Sequence, residues 1–322
     1  MSRNAKRIKR ILRLPFEWLG IMLGIAVFSN LPRRWMLAVC DGVSAIMYFF
    51  DGEGRRRSLA NLRVIRGGFK GNGIVPLAER YNPTKSEETI IRRSYRNMAR
   101  TVGHAFWTCR NALDRVRSAG EMSAAGRKFL AENKPAVTVS GHIGCWEILS
   151  QLALLEGHRM MSVAKDIGTR GMTKLLMKSR TSIGQEIVHA DGAFRPLMHG
   201  IKNGKSLGLL VDQLVDTRDG GIWVMFFGRP ISVSAAPAFF SAKGKAPIVV
   251  AWSRPLKDGR YRCEVVSSYK CDEARNSRAM TERCIKDLER VIRRHPSVWV
   301  LNSRYFRKWP TEKEMADISN NG

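Results

Sequence analysis

From about residue 135 to residue 296, short apolar runs alternate with amphipathic stretches, and the links between them are only a few residues long. PAVTVSGH is a β-rich apolar run, and IGCWEILSQLALLEG after it reads as a helix ending at Gly157. The alternation continues through HRMMSVAK, TRGMTKLLMKSRTSIG, EIVHA, FRPLMHGIKNG and SLGLLVDQ. PISVSAAPAFFSAKGK leads through a further helix into APIVVAWSR, followed by RYRCEVVSS and the amphipathic TERCIKDLERVIRRHP. Strand and helix in strict turn, tightly linked, can bury their apolar faces only by laying helices on the faces of a common sheet. The expected fold is therefore α/β, a largely parallel sheet flanked by helices.

Upstream the pattern is helical. RRRSLANLRVIR (residues 55–66) reads as a helix with a basic face, and residues 67–76 as a turn-rich surface excursion. Ser86 to Ala112 reads as one helix, with Glu87 and Glu88 in its first turn and Ile90, Ile91, Tyr95, Met98, Val102 and Phe106 at helical spacing. The first thirteen residues carry six basic side chains and no acid; residues 14–31 are then apolar except for Glu17, Ser29 and Asn30. No small-residue cleavage site follows, which argues against a secretion signal. A single span, a helix lying in one leaflet, or a buried hairpin with residues 35–50 all fit that length. Arg33 and Arg34 make both flanks positive, so charge gives no orientation. The basic flank suits anionic lipid, and we expect residues 1–50 to be a membrane-associated helical segment and residues 51–322 the catalytic domain.

Charge narrows the partners. Fifty-five Lys and Arg against 28 Asp and Glu give a net +27, a field that favours nucleic acid, an anionic membrane face or an acidic protein. The basic residues are spread along the chain and no recognition motif accompanies them, which disfavours nucleic acid. Six scattered cysteines form no C-x-x-C and have no histidine at zinc-ligand spacing, so reduced thiols, a cytoplasmic compartment and no structural metal are expected.

The sharpest local signal is SGHIGCWEILS. His142 and Glu147 stand five positions apart, which on one helix would separate them by about 140°. Across a strand-to-helix turn the spacing makes better sense. His142 then sits at the carboxyl edge of a strand, where open α/β sheets gather their active sites, and Glu147 lies inside the next helix. Neutral imidazole is a suitable base for taking a hydroxyl proton near pH 7, and a carboxylate can fix its tautomer. Six histidines and 28 acids in this length give about half such a match by chance, so spacing alone is weak.

Its company is stronger. Strand, Gly141-His142, then a helix carrying Glu147 resembles the H-x4-[D/E] box of glycerolipid acyltransferases. RRRSLANL resembles the early Arg-rich helix of the bacterial lipid A biosynthesis acyltransferases, and GHIGCWE their H-x-G-N-W-E box, with Cys145 in place of Asn. Lys165 through Arg180 to Gly184 is similar to that family's Arg…R-x-x-x-G stretch, with Lys165 in place of the first Arg. LLVDQLVDTRDGGIWVMFFGRPISVSAAPA resembles its D-Q…F-F-G-x-P block, and HPSVWVLNSRYFRKWP its C-terminal block, with Asn302-Ser303-Arg304 in place of His-Arg-Arg. The blocks run in order over roughly residues 50–310. The resemblance implies a transferase at the cytoplasmic face of a bacterial inner membrane. It would move a fatty acyl group from acyl carrier protein to a hydroxyl of a phosphorylated glycolipid, with no metal or redox cofactor. His142 would be the base, oriented by Glu147. Lys165, Arg180 and Arg229 become candidates for holding phosphate or the carrier's phosphopantetheine. Asp212 and Gln213, ending a strand on the same sheet edge, would contact substrate or cap the following loop. Phe226, Phe227, Phe239 and Phe240 read as core. A lysophospholipid or mannosylated acceptor, or an acyl-CoA donor, would be the rival within the same class.

Overall fold

A computed structural model describes Gly24, residues 26–68 and 72–164, Thr173, Met177 and residues 180–320. Most of the apolar run 14–31, Lys165 and most of the helix expected over 169–184 lie outside the described residues. The chain runs α1 (Arg33–Phe50), α2 (Gly52–Ile65), α3 (Lys85–Trp107), α4 (Ala112–Ala119), β1 (Gly120–Met122), α5 (Ala124–Glu132) and β2 (Val137–Ser140). Next come α6 (Trp146–Leu155), β3 (Met160–Ala164), β4 (Glu186–His189), α7 (Phe194–Lys202), β5 (Ser206–Leu210), β6 (Gly221–Phe226) and β7 (Arg229–Ser234). It closes with α8 (Ala236–Gly244), β8 (Ile248–Pro255), β9 (Tyr261–Tyr269), α9 (Ser277–Arg294) and α10 (Glu312–Asn320).

Seven of these strands form one sheet in the order β1-β9-β8-β2-β5-β3-β4. Every neighbouring pair is parallel except β8 and β9, which are joined by a turn too short for a crossover. All four residues of the central β2 are buried, as a strand covered on both faces requires. Alternation along β8 divides the core. Ile248, Val250 and Trp252 join the cluster containing α7, α8 and α9, whereas Val249 and Ala251 face the one containing α4 and α6. The three-residue β1 has too little sequence to carry a periodic signal and was not expected. β6 and β7 form a separate antiparallel hairpin, turning at Phe227 and Gly228, both with positive φ. Phe226 and Phe227 on it pack against Trp299, in the core as expected.

The long helix begins one residue early and stops five residues short of the expected end. A capping box between Thr84 and Glu87 fixes its start. At its end Asn111 turns into the left-handed region, and α4 begins anew. α1 lies along α3: Met36, Cys40, Ser44 and Tyr48 are buried at four-residue intervals, and Arg100 makes paired hydrogen bonds of 2.7 Å to Asp41. Its other faces expose Trp35, Val39, Val43, Ile46, Met47, Phe49 and Phe50. No helix among the described residues is long and apolar enough to cross a membrane.

Beneath α1, His104 is fully enclosed between Trp107 and Tyr261, and neither ring nitrogen has a hydrogen-bond partner. Burial, with help from the nearby Arg33 and Arg100 charges, pushes its pKa down to about 3. The folded protein keeps this imidazole neutral, while the unfolded chain takes up a proton below about pH 6.5. Between those values the unfolded state binds more protons, so stability falls as pH drops, by about 1.4 kcal/mol per unit from this group. Melting curves from pH 7 to pH 4 should therefore be flatter for His104→Leu than for the wild type. Parallel curves would mean that His104 stays protonated inside the fold.

Candidate active site

The site is built where β2 ends. Ser140 is the last residue of β2, and the chain must leave the sheet and start α6 at Trp146. Two glycines permit that exit. Gly144 has φ +62° and lies so close to the Ser253 carbonyl that a Cβ has no room. Gly141 presses against the Asp212 carboxyl group, where an added Cβ would stand 3.0 Å away. The loop between them is held from behind by the C-terminal segment. Gly144 N–H donates to the Val298 carbonyl at 2.8 Å, and Val300 N–H donates to the His142 carbonyl at 3.2 Å.

Asp212 follows β5, the neighbour of β2, and is wholly buried. Its Oδ2 accepts the backbone N–H of His142 at 2.8 Å and the indole N–H of Trp299 at 2.8 Å; its Oδ1 lies 2.7 Å from His142 Nδ1. Burial alone would raise this carboxyl, but the adjacent imidazole charge and these hydrogen bonds outweigh it and hold the group below its ordinary value. An ionised carboxylate can only accept, so Nδ1 carries the proton, and in the neutral ring the lone pair is on the outward Nε2. There it meets the Gln213 amide, 3.3 Å away. The His142 ring is also packed edge-on against Trp146, centroids 4.9 Å apart.

Glu147 is placed differently from the role expected of it. Its two oxygens are engaged by Arg180, Nε at 2.8 Å and Nη2 at 2.5 Å, and Oε1 also accepts Trp146 Nε1 at 3.1 Å. The carboxylate hydrogen-bonded to His142 is Asp212. The physical reason lies in the turn: Glu147 enters the first turn of α6 and faces Arg180, while the chain reversal after β5 brings Asp212 under the imidazole. Arg229 is buried on the hairpin, donates to the Gly73 carbonyl and stacks over Trp309 at 5.2 Å. It thus ties the 67–76 excursion to the C-terminal segment. Lys165 lies outside the described residues. The structure brings His142, Asp212 and Gln213 together, and Glu147 with Arg180 beside them through Trp146.

Sequence reasoning missed three supports. Trp299 fixes Asp212; Asn61 donates to the carbonyls of Leu301 at 2.7 Å and Ser303 at 2.9 Å; Arg57 donates to that of Asn302 at 3.1 Å. A signal existed for the first: a tryptophan inside an apolar run must find an acceptor for its N–H when buried. Asn61 sits in the A-N-L triplet of α2, which reads as one more helical residue until its partner 240 positions away is known.

A model of the family described as bacterial lipid A biosynthesis acyltransferase matches residues 4–308. The chain belongs to that family. A comparison with curated proteins finds no match. The protein is accordingly an acyltransferase; at its sheet edge the buried Asp212 is paired with an imidazole and the partly buried Glu147 with a guanidinium. Among the described residues of the acyltransferase, no three His, Cys, Asp or Glu side chains gather as metal ligands would.

Proposed function

We propose that this acyltransferase moves a fatty acyl group from the thioester of acyl carrier protein to a hydroxyl of a phosphorylated glycolipid, at the cytoplasmic face of the bacterial inner membrane. The observation that carries the reading is the buried Asp212 carboxylate on His142 Nδ1, which leaves Nε2 as an outward-facing base. In this scheme Nε2 takes the acceptor's hydroxyl proton as the oxygen attacks the thioester carbonyl. The C–S bond breaks on collapse, and the imidazolium returns the proton to the departing thiolate. Asp212 stabilises the imidazolium while it exists, as the carboxylate of a catalytic triad does, with the acceptor alcohol replacing an enzyme serine. Glu147 holds Arg180 rather than the base. The test is transfer of labelled acyl chain from acyl carrier protein to a phosphorylated glycolipid in detergent micelles. Transfer from acyl-CoA alone would change the donor, and transfer from neither would overturn the reading.

The membrane side of the proposal rests on α1. Its buried face is seated on α3, and its outer stripe of Trp35, Val39, Val43, Ile46 and Phe50 is exposed. Arg33 and Arg34 open the helix, after a basic N-terminal run. A helix with one face in the protein and the other apolar suits the headgroup boundary, with the exposed Arg34 on anionic lipid. Each phenylalanine moved out of water stabilises binding by about 1.5–3 kcal/mol. Phe49→Asp with Phe50→Asp should therefore weaken sedimentation with anionic vesicles by tenfold or more while leaving the melting temperature unchanged, since both rings are exposed. Undiminished vesicle binding would refute α1 as the contact.

A further inference from the structure

The arginines that sequence pattern assigned to phosphate are already engaged, Arg180 with Glu147 and Arg229 with the Gly73 carbonyl and Trp309. A different pair lines a cavity that Gln213 connects to His142. A cavity of about 180 Å³ is lined by Gln213, Leu214, Ser303, Arg304, Tyr305 and Arg307, and Gln213 is the residue whose amide reaches His142 Nε2. None of these side chains is a carboxylate. Arg304 has Glu53 at 3.0 Å, but both side chains are more than half exposed, so that pair is weak and easily exchanged. Arg307 makes no ion pair among the described residues, whereas its neighbour Lys308 is held by Asp216 at 2.6 Å.

The wall behind these arginines is fixed. Tyr305 stacks on Trp299, ring centroids 4.0 Å apart and planes 17° from parallel, and Trp299 in turn donates to Asp212. Asn61 and Arg57 of α2 pin the carbonyls of residues 301–303. Two solvent-facing guanidinium groups, a hydroxyl and an amide are thus presented from a rigid base, one residue away from the imidazole. This is the donor set that a phosphate ester recognises: guanidinium forks match its oxygens two at a time, and neutral donors complete the shell.

We propose that this cavity is a phosphate subsite of the acyl-transfer site, in which Arg304 and Arg307 grip a phosphate ester carried by one of the two substrates. The proposal rests on the acyl-transfer reading above. A phosphate lodged there is one side chain, Gln213, from the base, so gripping it fixes the distance from charge to reacting atom. Both substrates carry this chemistry, the acceptor as a sugar phosphate and the donor as its phosphopantetheine diester.

The experiment measures kcat/KM for the wild type, Arg304→Ala/Arg307→Ala and Arg304→Lys/Arg307→Lys with two matched substrate pairs. One pair is the phosphorylated glycolipid and its dephosphorylated form with a common donor. The other is acyl-phosphopantetheine and acyl-pantetheine with a common acceptor. Charged hydrogen bonds of this kind support a preference of about tenfold or more for the phosphorylated member of one pair. That ratio should collapse in the alanine variant and recover only in part with lysine, which keeps the charge but loses the fork; the pair affected names the source. Ratios unchanged in both pairs overturn the subsite. Calorimetry with phosphopantetheine and with a sugar phosphate reads the same cavity without turnover: about tenfold weaker binding of one probe by the alanine variant is expected, and equal binding of both overturns the proposal. A wild type that binds a phosphate probe through these arginines yet transfers no acyl chain would overturn the parent reading alone.

Discussion

His142→Ala will lower acyl transfer by about 10²–10⁴-fold, because the proton acceptor at Nε2 is gone while the rest of the pocket stands. Asp212→Asn will be nearly as severe, for a more specific reason. The asparagine oxygen can still accept from the His142 backbone N–H and from Trp299, which both donate to Oδ2 at 2.8 Å. Its amide nitrogen then faces Nδ1 and donates to it. That reverses the tautomer, puts the proton on Nε2 and leaves the imidazole unable to act as a base. The two side chains work as a unit, so the double variant should lose little beyond the worse single one. Rates in micelles, read beside thermal melts, check this. A folded His142→Ala enzyme with substantial activity would eliminate His142 as the base, and fully additive losses would separate Asp212 from it.

Removing one partner of the Glu147–Arg180 pair should be the largest single-site loss of stability near the site. The side chains are 10% and 14% exposed, so a deleted partner leaves a charge with little access to water. Arg180→Leu strands Glu147 and should cost about 3–5 kcal/mol, the usual scale for an uncompensated buried charge. Glu147→Leu strands Arg180 similarly, although a long side chain can turn its head to solvent and soften the loss. The double replacement should recover much of the loss, giving a large coupling energy in a denaturant double-mutant cycle. A coupling near zero would show that water screens the pair in solution.

The fold was legible where the pattern is periodic and local. β2, β3, β5 and β8 are short apolar runs bounded by turns, and the helices between them carry their own stripes. Position in the sheet was not legible, because strand order depends on pairings between distant runs: β2 sits between β5 and β8, neither of which is its neighbour in sequence. The same difference divides the site. His142 could be placed because a strand end, a glycine and a helix start are adjacent in sequence. Its true partner could not, since Glu147 is near in sequence and Asp212 near only in space, brought over by the parallel register that sets Ser140 against Leu210. Arg180 and Arg229 were visible as arginines within recognisable blocks, but a block does not say whether the guanidinium faces a ligand, a carboxylate or a backbone carbonyl.

The pinning of residues 298–303 also bears on how the enzyme is made. His142 and Asp212 are both encoded in the first two thirds of the chain, but the indole that bonds Asp212 and the backbone that braces the His142 loop come from the last tenth. On a ribosome moving at about 5–20 residues per second, His142 and Asp212 are exposed for on the order of ten seconds before Trp299 follows. During that interval Asn61 of α2 has no residue 301 or 303 to hold. The bracing of the site is therefore complete only once the last tenth of the chain has arrived.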